Sequence, residues 1–152
     1  MANVKRRVKE RVMPKHLNNG KCSKCAEIIQ RYPGLNEFLL SWFKGMQAKF
    51  PELHLSCAGR GKVDQEAAFQ RGASKAHYLE SSHNFNCAID IFQLKDGNAL
   101  WNKEWFNTVV APSLPSNLNW YGKPFSPFYE LPHLELLNWK FLRDNGTLVP
   151  VE

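Results

Sequence analysis

Leu35, Phe38, Leu39, Trp42, Phe43, Met46 and Phe50 recur at intervals of three and four, the spacing of one face of an α-helix. They predict a core-facing helix that begins near Asn36 and ends before Pro51. Leu53-His54-Leu55-Ser56-Cys57 then alternates as a strand does and delivers Gly59-Arg60 to a turn. Val63 to Ser74 reads as a helix in which Ala67, Ala68 and Gly72 allow close packing. Cys87-Ala88-Ile89-Asp90-Ile91-Phe92 is short and β-branched, a strand whose period of two sets Asp90 on the face opposite Ile89 and Ile91. Trp101 to Val110 reads as another helix, with Trp101, Trp105 and Phe106 as packing groups. Pro112 to Pro127 is rich in Pro, Asn, Ser and Gly and reads as a long loop, and Asp144-Asn145-Gly146 marks a turn before a short tail.

The chain thus reads as a mixture of α and β elements. At 152 residues, 43% of them hydrophobic and 12% aromatic, the chain can bury a real core as one domain. Charge divides it unevenly. Residues 1–25 carry eight of the 20 Lys and Arg against one acid, Glu10, and the remainder is close to neutral. The expected organisation is a basic arm over 1–25 and a single catalytic domain over 26–152. Such an arm attracts anionic wall polymers, membrane surfaces or nucleic acid equally, because the attraction carries little sequence information, and no specific nucleic acid partner is expected. Cys22-Ser23-Lys24-Cys25 has the spacing of half a zinc ribbon or of a redox pair, and Cys57, His16 or His54 could complete a metal site there. Cys57 and Cys87 stand alone, Cys87 as a small apolar strand residue.

The chemistry concentrates in two distant segments, Ser81 to Asp90 and Glu130 to Glu135. His83, Asp90 and His133 offer two imidazoles and a carboxylate, the donor set of a catalytic zinc whose fourth position is left to water. Glu130 supplies a second carboxylate placed to act as general base. Pro132 inside Glu130-x-x-His133 rules out a helical zinc motif and predicts a loop entering a strand. His133 and Glu135 then share one face, Leu134 and Leu136 the other, and Glu135 can orient a ligand imidazole. His77, His54 and His16 are not expected in this site.

Ser81, His83, Ala88 and Asp90 followed by Glu130 and His133 resemble the two motifs of the zinc D-Ala-D-Ala peptidase family, which includes the phage L-alanyl-D-glutamate endopeptidases. Ala58-Gly59-Arg60, Gln65 and Phe69 to Lys75 resemble its arginine turn and following helix, and Trp120-Tyr121-Gly122 its aromatic-glycine segment. The likeness runs from about Leu53 to Leu137. It departs at Asn86, where the family has glycine; Asn is the other residue that best tolerates a left-handed backbone.

The resemblance implies an α+β fold, a small antiparallel sheet with flanking helices of the hedgehog/DD-peptidase-like zinc peptidase type, with one catalytic Zn2+. Arg60 would steady charge on the substrate carbonyl, and Ser81 and Gln65 would contact substrate. The implied substrate is the peptide stem of bacterial peptidoglycan, cut at L-alanyl-D-glutamate by a monomeric phage lysis enzyme. With no transmembrane run or secretory signal read, the expectation is synthesis in the host cytoplasm and action on the periplasmic wall after release, or carriage on a virion. The alternatives are a D-alanyl-D-alanine carboxypeptidase or dipeptidase and a non-catalytic peptidoglycan-binding virion protein.

Overall fold

The structure is a computed structural model that describes residues 22–123 and 130–152. Its first helix, α1 (Ser23–Arg31), is opened by Cys22, whose sulfur accepts from the Cys25 backbone N–H. Cys22 and Cys25, which the charge pattern assigned to the basic arm, are therefore buried members of the core. The predicted amphipathic helix is α2 (Glu37–Lys49). Asn36 caps it by accepting from the N–H groups of Phe38 and Leu39, and Leu39, Phe43 and Met46 are its buried face.

β1 (Leu53–Cys57) follows as predicted, then α3 (Lys62–Gln70). This helix stops four residues short of the expected Ser74. Gly72 has a left-handed φ of 76°, and the N–H groups of Ala73 and Ser74 turn back to the Ala68 carbonyl. A Cβ on Gly72 would meet nothing within 4 Å, so this glycine ends the helix and has no role in close packing.

A 3-10 turn over Ser82–Phe85 leads through Asn86 into β2 (Ala88–Lys95), the central strand. Asn86 adopts φ 56° and ψ 30°, the left-handed conformation expected at that position. β2 turns back at Asp96-Gly97, both with positive φ, into β3 (Asn98–Leu100), a hairpin the hydrophobic pattern did not predict.

The helix expected over Trp101 to Val110 is broken into pieces. α4 (Lys103–Trp105), capped by Asn102, widens into a π-helical turn over Phe106–Val110 and tightens into a 3-10 turn over Ala111–Ser113 at Pro112. Phe106 and Val110 are buried; Trp101 is half exposed. The predicted long loop contains a strand, β4 (Leu118–Trp120), and its residues 124–127 lie outside the described ones. β5 (His133–Leu136) and α5 (Trp139–Asp144) complete the order. α5 gives way at Gly146, φ 78°, where the Asp-Asn-Gly turn was expected.

The sheet is antiparallel throughout, in the order β1-β2-β5-β4, with β3 paired to the far end of β2. Leu53, Leu55, Ile89, Ile91 and Leu134 are fully enclosed and belong to one apolar cluster with Leu39 and Phe43. The α+β prediction matches this architecture. In β2 and β5 the period of two sends the isoleucines and leucines into the core and leaves Asp90, His133 and Glu135 to the opposite side.

Candidate metal centre

Strand register brings two of the predicted ligands together. Asp90 of β2 lies directly opposite His133 of β5, so their side chains leave the same face at neighbouring Cβ positions. His133 Nδ1 is 3.1 Å from Asp90 Oδ1. The third ligand arrives from the 3-10 turn, where His83 Nε2 lies 3.3 Å from the same Oδ1. Ser81 builds that turn: its hydroxyl accepts from the His83 N–H while Asn84 Oδ1 accepts from the Ser81 N–H. The Arg60 N–H, donating to the His83 carbonyl at 2.9 Å, ties the turn to the segment after β1.

The other nitrogens of both rings are also committed. His83 Nδ1 is 2.6 Å from the Ala58 carbonyl oxygen, an acceptor only, so this nitrogen carries the proton and Nε2 turns its lone pair toward Asp90. His133 Nε2 is 2.8 Å from Glu135 Oε1, which fixes that proton and leaves Nδ1 facing Asp90. Four ring nitrogens thus face three oxygen acceptors, Asp90 Oδ1 being shared, and two neutral imidazoles have only two N–H groups to offer. Two extra protons, or one metal ion between Nε2, Oδ1 and Nδ1, complete the arrangement. For a tetrahedral zinc with bonds of about 2.0–2.1 Å, ligand atoms lie about 3.3 Å apart. The separations of 3.1 and 3.3 Å match the two edges that meet at Asp90 Oδ1; the two imidazole nitrogens lie further from each other than such an edge, so a shared ion would draw the rings together.

Without an ion, charges settle accordingly. Burial pulls the His83 imidazole down, but the Asp90 carboxylate and Cys57 reverse this and leave it well above the usual range. For His133, burial is likewise outweighed by its hydrogen bonds to Asp90 and Glu135, so it too is raised. Burial would lift the Asp90 and Glu135 carboxyls, yet the facing histidines hold both below their ordinary values.

Glu135 is the hub behind the site. Ser82 Oγ donates to its Oε1 at 2.9 Å, and Tyr121 Oη and Trp139 Nε1 donate to its Oε2 at 2.9 and 2.8 Å. Three donors and an imidazole leave the carboxylate no freedom, the arrangement that orients a metal-binding histidine. Burial, then the adjacent Glu135 charge, pushes the Tyr121 hydroxyl up to about 12, so it stays a donor. Tyr121 belongs to the Trp120-Tyr121-Gly122 segment, but nothing in the spacing marks Ser82 or Trp139.

Glu130 stands at the rim. It is more than half exposed, with Oε2 3.9 Å from His133 Nδ1. It lines, with the ligands, Ser81, Arg60, Lys75 and Lys140, a cleft of about 630 Å³. Trp120 sets its loop: the indole N–H donates to the Leu131 carbonyl at 2.7 Å.

Arg60 also faces this cleft, and Gln65 does not. Gln65 is fully enclosed. Its Oε1 accepts from Arg60 and Asn84, and its Nε2 donates to Ser74 Oγ and the Ala76 carbonyl. Its expected role as a substrate contact is corrected: both ends of the amide are occupied, and it holds the Arg60 guanidinium in place. His77 pairs with Glu66 at the surface, away from the cleft, and His16 lies outside the described residues.

Two groups among the described residues bring three ligand atoms within 4.8 Å of one another and could hold a metal ion. One is His83 and Asp90 with Cys57; His133 is not in that set, although its Nδ1 lies 3.1 Å from Asp90 Oδ1. Cys57 approaches the Nδ1 edge of His83, at 3.9 Å, the edge turned to Ala58 and away from Asp90. The other is Cys22, Cys25 and His54, all buried. His54 was one of three residues that could complete a site at the Cys pair, and the fold is what sets it there.

No family model matches the chain, and neither does any curated protein. Among solved structures, the crystal structure of the L-Ala D-Glu endopeptidase ChiX of Serratia marcescens aligns with a TM-score of 0.61 over 77% of this chain and 91% of that one. Identity is 16%. The two chains share a peptidase fold.

Proposed function

We propose that this chain is a zinc-dependent peptidase acting on the peptide stem of bacterial peptidoglycan, at the L-alanyl-D-glutamate bond, as a phage lysis enzyme. One observation carries the reading: His83 and His133 each face an acceptor on both ring nitrogens, and their second nitrogens converge on one Asp90 oxygen. Two neutral imidazoles and one carboxylate suit zinc and leave it a net positive charge. The bond named for ChiX, with which the fold is shared, supports the choice of substrate.

His83, Asp90 and His133 would hold the ion, which when bound supplies an acidified water and a charge for the carbonyl oxygen. Glu130, free on the rim, takes a proton from the attacking water and passes it to the leaving nitrogen. Arg60, braced by Gln65, donates to the oxygen on which negative charge develops. Ser81 faces the same cleft and meets the substrate backbone beside His83. Lys75 and Lys140 give that cleft cations suited to a substrate rich in carboxylates. In this reading a monomer, made in the host cytoplasm, reaches the wall after release or on a virion, and the basic residues that precede α1 hold it near anionic surfaces.

Digestion of purified peptidoglycan followed by mass spectrometry of the fragments tests this. A new N-terminal D-glutamate is expected. Loss of a single alanine would transfer the reading to a carboxypeptidase, and intact stems would overturn it.

A further inference from the structure

Of the nine residues of α1 only Cys25 is completely buried, with Ile28 and Ile29 packed partly against the core. A polar group meets the helix there as well. His54, on β1 and fully enclosed, directs Nδ1 at two sulfurs at once, 3.3 Å from Cys22 Sγ and 3.4 Å from Cys25 Sγ. One ring nitrogen has one lone pair or one proton, and cannot form two good hydrogen bonds to two thiols. Three soft donors converging on one point are instead what a cation asks for. With Zn–S near 2.3 Å and Zn–N near 2.0 Å, a tetrahedral ion sets sulfur and nitrogen about 3.5 Å apart, close to the separations present.

The backbone is arranged for thiolates. The Cys25 N–H points at Cys22 Sγ at 3.3 Å, the Leu55 N–H at Cys25 Sγ at 3.4 Å, and the Gln47 amide reaches Cys25 Sγ at 3.7 Å. Two thiolates would cancel the charge of a divalent ion, so it can sit in the core without the cost of an unpaired charge. On the side of α2 a cavity of about 440 Å³ opens onto both cysteines.

We propose that Cys22, Cys25 and His54 bind a second, structural zinc ion that staples α1 to β1. The site shares no residue with the cleft, and it stands whether or not the chain cleaves peptidoglycan. The full chain, stripped of metal and reloaded with Co2+, tests it by absorption and metal analysis. Two cobalt equivalents and a strong near-ultraviolet thiolate-to-cobalt band are expected. In Cys22→Ser/Cys25→Ser the band disappears and metal content falls to one equivalent, while Cys57→Ser keeps both. A band absent from the unmutated chain, surviving in the double variant or lost with Cys57 overturns the proposal. Should the double variant not fold, zinc X-ray absorption of the Cys57→Ser chain decides: sulfur near 2.3 Å from zinc supports the staple, and nitrogen and oxygen scattering alone overturns it.

Discussion

Glu130 and Glu135 are five residues apart and do opposite things. Glu130 is exposed and tethered to nothing closer than 3.9 Å, which leaves it able to swing toward a substrate. Glu135 is buried and held by Ser82, Tyr121, Trp139 and His133. Glu130→Ala is therefore expected to lower kcat by about 10²–10⁴-fold with bound zinc unchanged, as activity assays beside metal analysis will show. Glu135→Gln is expected to act on the ion itself: a competitive chelator titration should find zinc affinity lowered about 10–100-fold. His83, Asp90 and His133 were legible as candidate donors because their donor types and the alternation around them are local. Which of Cys57, His16 and His54 would join the Cys pair was not. Nothing in the spacing of Cys22 and Cys25 says which histidine, 29 residues later, the folded chain sets against them.

At the scale of elements, the site depends on how β4 hands over to β5. Gly122 follows β4 because a Cβ there would lie 2.2 Å from the Trp120 ring, and that ring holds Leu131 through its N–H. Gly122→Ala must tilt the indole and move the segment carrying Glu130. Activity should fall by an order of magnitude or more while the zinc content holds, because His133 is fixed separately by pairing with β2. An unchanged rate would show that the loop adapts. Strands and capped helices were readable here, since Asn36 caps α2 as its sequence implies and the period of two in β2 and β5 sorts Asp90 from Ile89 and Ile91. The break-up of the helix expected over Trp101 to Val110 was harder to read. Its apolar spacing fits an α-helix, and the widened turn at Phe106–Val110 answers to packing, Phe106 lying parallel to Trp120 in the core. The Asp96-Gly97 hairpin and the Gly72 helix stop were written in the sequence as turn residues and outweighed the hydrophobic pattern.

For the whole molecule, proton and metal compete for one place. In the metal-free chain His83 and His133 are raised, so their charged forms stabilise the fold fully below about pH 6.5. That contribution is lost as pH climbs through the raised values. Asp90 and Glu135 are lowered; their contribution is present above about pH 4 and fades as pH falls through their folded values. An ion needs the imidazoles without their extra protons. The gap in Tm between zinc-loaded and chelated protein should therefore widen from about pH 6 to about pH 8, and calorimetry that finds it constant or narrowing would speak against a shared cation.

The most direct measurement is anomalous diffraction at the zinc edge from crystals of the zinc-loaded chain. A peak bonded to His83 Nε2, Asp90 Oδ1 and His133 Nδ1 at about 2.0–2.2 Å is the expected result. No peak among those three atoms, with zinc present elsewhere, would contradict it.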